Sequence, residues 1–150
     1  TLEHVVDLAK HLSPEERFEV RRVGRGYVYV VYAKTSAQRP IAVEIFTHTP
    51  LGAPSEIPDC VEEVERWGSS FWTITPQAYI ACKLASPHPL TRRDAWLISS
   101  ALELCEASDV VDVLRRRGLV GAARSCLERA AAQGIPIPQE LSTALDVAPS

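Results

Sequence analysis

The chain has 150 residues, 46% hydrophobic and 23% charged, which is about one domain's worth of ordinary globular composition and excludes wholesale disorder. Sixteen Lys+Arg against nineteen Asp+Glu leave a net charge of −3. That balance excludes the global basic field of a nucleic-acid-binding domain and allows weak nucleic-acid affinity at most.

The longest uninterrupted apolar run, Tyr27–Ala33, is well short of the roughly 20 residues of a membrane span. No secretory pattern opens the chain, so no membrane partner and a cytoplasmic location are expected. There is no Asn and no Met, only Lys10, Lys34 and Lys83 are lysines, and there are eleven prolines. This bias leans toward a thermophilic source, although a GC-rich genome produces much of it too. Without an initiator Met, Thr1 follows either processing or an upstream segment. Cys60, Cys82, Cys105 and Cys126 contain no C-x-x-C pair and read as small buried hydrophobes, with a Cys105–Cys126 bridge as the alternative.

In chain order, Leu2, Val5, Val6 and Leu8 recur at near-helical spacing and predict an opening helix over 2–12 with Thr1 as N-cap. Ser13-Pro14-Glu15-Glu16 reads as a turn, or as one short helical turn begun by Ser and Pro. Phe18–Val23, Gly24-Arg25-Gly26 and Tyr27–Ala33 form a hairpin signal, and Ile41–Thr47 supplies a third strand after the polar connection 34–40. An antiparallel meander is the simplest arrangement of strands so close in sequence. The segment 48–58 is a proline-rich loop, Cys60–Trp67 is expected to make one or two helical turns, and Phe71–Ile74 is a short strand. Thr75 caps a helix with Pro76 at its first position, running through Gln77–Ala85. Further helices are expected from Arg92 to about Glu106 (capped by Thr91), from Ser108-Asp109 to Gly118, over Leu119–Gly134 and over 139–145. The fold class is therefore α+β, with α/β as the alternative. A small mixed or antiparallel sheet in residues 18–75 packs with a C-terminal helical half. No linker separates the β-rich part (13–75) from the helical part (76–145), and a single domain over 1–150 is expected.

Two charged residues stand out against apolar surroundings. In the strand Ile41–Thr47, Glu44 shares a face with Ala42 and Phe46. It either reaches solvent from an edge strand or is paired or cation-bound, because buried charge is costly otherwise. Lys83 is the one charge in the apolar helix Ala78–Ala85. It must snorkel to a rim or meet an acid or a phosphate. Asp94 opens the next helix in Thr91-Arg92-Arg93-Asp94, either as a first-turn acid favoured by the helix dipole or as the partner of Lys83. The histidines, His4, His11, His48 and His88, form no ligand pattern, so no metal site is expected. The clusters Arg21, Arg22, Arg25 and Arg115-Arg116-Arg117 could touch phosphate; the second sits where a helix C-terminus favours cations.

Taken together, Val43-Glu44-Ile45-Phe46-Thr47, the proline-rich loop, the capped helix holding Ile80-Ala81-Cys82-Lys83-Leu84-Ala85 and the following Arg93-Asp94 resemble the C-terminal two-thirds of the nucleotidyltransferase fold. The resemblance is to its small stand-alone or AbiEii-type version and spans about residues 41–133. It implies that Glu44 is the third metal-binding carboxylate, that Lys83 sits near a nucleotide triphosphate, and that Asp94 belongs to the same site. The resemblance implies a divalent metal and a nucleotide as cofactors only where that site is complete. The family's first strand carries a Gly-Ser turn followed by an Asp-x-Asp pair, and these 150 residues contain none: Gly68-Ser69-Ser70 is followed by no such pair, and Asp109 and Asp112 are wrongly spaced. The expectation is thus a catalytically inactive or incomplete member. The alternatives are a protein-binding or scaffold module and a nucleic-acid-associated factor.

Overall fold

A computed structural model of the chain describes residues 18–23, 28–33, 41–46, 49–66 and 68–147. They belong to two compact units, Thr1–Thr49 and Pro50–Ser150. In the first unit, β1 (Phe18–Val23), β2 (Val28–Ala33) and β3 (Ile41–Phe46) pair in that order. Both pairings are antiparallel, with Val20 opposite Val31 and Val31 opposite Val43. The register sets β-branched positions opposite one another, and such residues are enriched in strands. This is the meander expected from the sequence. The predicted opening helix 2–12, the turns at 13–16 and 24–26, the connection 34–40 and His48 lie outside the described residues.

The second unit opens with two 3₁₀ turns, Pro54–Glu56 and Pro58–Cys60. They lead into β4 (Val61–Arg66), which pairs antiparallel with β5 (Ser69–Ile74). The helical turns expected over Cys60–Trp67 are therefore corrected to a strand. In the register Val61 lies opposite Ile74 and Val64 opposite Phe71, positions whose β-branched and aromatic residues favour a strand. The connection is only two residues long, and its second residue, Gly68, has φ +74°, a conformation that favours glycine. Thr75 N–H continues the ladder by donating to the Cys60 carbonyl at 2.9 Å.

Among the described residues, strands end at Ile74 and α-helices begin at Pro76. Five follow among the described residues: α1 (Pro76–Ala85), α2 (Arg92–Leu102), α3 (Ala107–Arg116), α4 (Val120–Ala132) and α5 (Gln139–Ala144). All described strand pairs are antiparallel and the helices are grouped after them, so the class is α+β. The predicted helix from Arg92 to about Glu106 stops at Leu102, because Glu106 is extended (φ −87°, ψ 149°) and begins α3. Gly118, at φ +67°, closes α3 while Leu119 N–H returns to the Leu114 carbonyl at 2.8 Å, a left-handed cap.

Helix α1 is the hub of this unit and packs against α2, α3 and α4. Its Ala78, Ile80, Ala81 and Leu84 are fully buried, and they meet Ile98, Val110, Leu114 and Leu127 in one apolar core. Burial of the larger of these side chains is worth about 1.5–3 kcal/mol each. No helix among the described residues is long and apolar enough to cross a membrane.

Candidate functional site

The corner between α1 and α2 is built by two caps. Thr75 starts α1 by accepting a hydrogen bond from Ala78 N–H at 3.4 Å, with Pro76 at the first helical position. Thr91 starts α2 with a reciprocal box. Its Oγ1 accepts from Asp94 N–H at 3.1 Å, while Asp94 Oδ2 accepts from Thr91 N–H at 3.0 Å and from the Thr91 hydroxyl at 2.6 Å. The segment 86–90 between the helices folds α2 back along α1, and this brings Lys83 Nζ to 2.8 Å from Asp94 Oδ1. The same ammonium lies 5.8 Å from the centre of the Tyr79 ring, within cation–π range.

Lys83 thus both reaches a rim and meets an acid. Its side chain is 36% exposed and that of Asp94 19%. Burial pushes the Asp94 carboxyl up, but the hydrogen bonds from Lys83 and Thr91 and the Lys83 charge outweigh it and hold the group down at about 2. Asp94 is therefore ionised near neutral pH, and its oxygens are already engaged in cap and ion pair. It acts as an anchor for the Lys83 ammonium.

Helix α4 packs against α1. The thiol of buried Cys126 is raised, by burial first, with Arg129 acting to lower it and the Asp94 charge to raise it. Arg92 and Arg93 are exposed at the start of α2. Lys83 is the cation that pairs with the Asp94 carboxylate.

The predicted site is assembled in part. Lys83 and Asp94 are brought together. Glu44 lies in β3 opposite Val30, in the other unit, and its side chain lies outside the described residues. Among the described residues, no group of three His, Cys, Asp or Glu side chains could hold a metal ion. The sequence also lacks the Asp-x-Asp pair. The donor set does not fit a two-metal clamp, and no chemical step follows through one.

None of Cys60, Cys82, Cys105 and Cys126 forms a disulfide, so Cys105 and Cys126 are not bridged. Burial is the leading cause that raises Cys60, Cys105 and Cys126, which suits packed thiols rather than nucleophiles. The Arg115–Arg117 cluster is engaged with protein acids. Arg115 pairs with Asp112 at 2.6 Å, Arg116 with Asp59 at 3.5 Å, and Arg117 with Asp59 at 2.5 Å and the Glu56 carbonyl at 3.2 Å. Sequence reasoning missed Asp59, which lies 58 residues from Arg117 and carries no local signal of that contact.

No family model, curated protein or solved structure matches this chain.

Proposed function

We propose that this chain is a nucleotidyltransferase-like domain that is catalytically inactive on the strength of its own 150 residues. In this reading Lys83 faces the phosphates of a nucleotide, and Asp94 is its positioning residue. The observation that carries the reading is the 2.8 Å contact between Lys83 Nζ and Asp94 Oδ1. It joins the lysine of the Thr-Pro-capped helix to the acid that opens the next one, in the order the resemblance requires. A lysine ammonium carries three donors, and partial exposure leaves this one within reach of a phosphate oxygen. Inactivity follows from the missing carboxylate pair: a lone lysine can hold a triphosphate but cannot align attacking and leaving oxygens as two metals do.

Titration with a fluorescent ATP analogue in the presence of magnesium tests the reading. Saturable binding is expected, weakened roughly tenfold by Lys83→Ala through loss of a charge-assisted hydrogen bond. Absence of binding, or binding indifferent to Lys83, contradicts it. Labelled nucleotide should not be incorporated into protein or RNA. Metal-dependent incorporation that disappears in Glu44→Ala would show that other residues complete the site.

A further inference from the structure

A groove of about 470 Å³ opens where the end of α2, the start of α3 and the start of α5 meet. Its apolar lining is Leu102, Cys105, Ala107 and Pro138, all half-buried. Glu103, Glu106 and Glu140 stand exposed around it, and no Lys, Arg or His is among its described lining residues. Leu104, flanked by two of these lining residues, is 74% exposed, and Trp96, one turn before the groove residue Ser99, is 67% exposed. These are the largest apolar groups that the helices and their connections leave in water. Apolar surface rimmed by charge of one sign is the mark of a binding face rather than of scattered exposure.

We propose that this groove docks a cationic amphipathic segment of a protein partner. An apolar anchor of that segment enters between Leu102 and Pro138, and its Lys or Arg side chains meet Glu103, Glu106 and Glu140. Charge complementarity selects this occupant: three carboxylates, with no cation among the groove's described lining residues, repel an acidic segment and attract a basic one. The Cys105 thiol reports the same field. Burial raises it first, and the charges of Asp109 and Glu106 raise it further. A small polar ligand is a poorer fit, because the described lining offers no buried charged or amide side chain to orient one. The inference is independent of the nucleotide reading, since none of the groove's lining residues belongs to the Lys83–Asp94 corner.

The test uses a fluorescein-labelled model helix of leucine and lysine, with leucines on one face, in about 150 mM salt where nonspecific attraction is screened. It should bind the intact chain, and E103K/E140K should weaken binding roughly tenfold. Glu128→Lys, an exposed reversal on α4 away from the groove, should leave binding unchanged. A leucine–glutamate peptide, or a lysine peptide of equal charge without leucine, should not bind. As a second reading, bound peptide should slow alkylation of Cys105, which lines the groove, and leave half-buried Cys82 on α1 unaffected. Equal binding in E103K/E140K, equal binding of the leucine-free peptide, or unprotected Cys105 overturns the proposal. Self-association of the chain that E103K/E140K abolishes would assign the groove to a second copy and overturn this occupant.

Discussion

Two of the acid–cation corners in the second unit, at Asp94 and at Asp59, are made differently. At the first, Asp94 accepts from Lys83 and twice from Thr91 across a separation of 11 residues or fewer. At the second, Asp59 meets Arg116 and Arg117, which come from the far end of α3, 58 residues away in the case of Arg117. The Asp94 corner is local: a cap box fixes the acid before the lysine reaches it. The Asp59 corner is long-range, and only the packing of the 3₁₀ turns against the end of α3 brings its partners together. Hydrogen-bond saturation, more than the count of ion pairs, should decide which corner stabilises the fold more, because exposed pairs contribute little.

Ranked by expected effect on urea unfolding, Asp94→Ala comes first, at about 2 kcal/mol, since it removes the side-chain half of the capping box and leaves Lys83 without its acid. Arg117→Ala should follow at about 1 kcal/mol, from the lost bond to the Glu56 carbonyl and the lost stem packing. A larger loss for Arg117→Ala than for Asp94→Ala would break the ranking by saturation. Lys83→Ala should cost less than about 1 kcal/mol, because its side chain is one-third exposed. A double-mutant cycle with Asp94→Ala sharpens this by isolating the pair from the cap. Smallest of all, Arg115→Ala should change stability by less than about 0.5 kcal/mol, since both it and Asp112 are largely solvated.

The local corner is legible in the sequence and the distant one is not. Thr75-Pro76 and Thr91…Asp94 are cap signals that act within four residues, so both helix starts are readable, and a lone lysine in an apolar helix asks for a nearby acid. The α+β class and the three-strand meander are readable from alternation and from the change of period after Ile74. β4 reads wrongly as helix because Val61 and Val64, three apart among glutamates, mimic a helix face. Only pairing with Phe71 and Ile74 across the Gly68 turn overrides that pattern. Asp59–Arg117 and the acid-rimmed groove depend on elements that meet only in three dimensions. Their residues look like ordinary solvated charges in the sequence.

The nucleotide reading and the local corner share one premise: the Asp94 carboxylate is held ionised by Lys83 and Thr91. Its folded-state pKa lies below the ordinary 3.8. The stability it contributes is therefore present above pH 3.8 and lost as pH falls through about 2. A tenfold change in proton affinity corresponds to about 1.4 kcal/mol, and the solvent exposure of Lys83 reduces what the fold gains from it here. The direct measurement is the carboxyl carbon resonance of Asp94, followed by NMR while pH is lowered. The account predicts that the group is still ionised at about pH 3, and that Lys83→Met moves its midpoint upward. A wild-type midpoint near 3.8, unmoved by Lys83→Met, would contradict it.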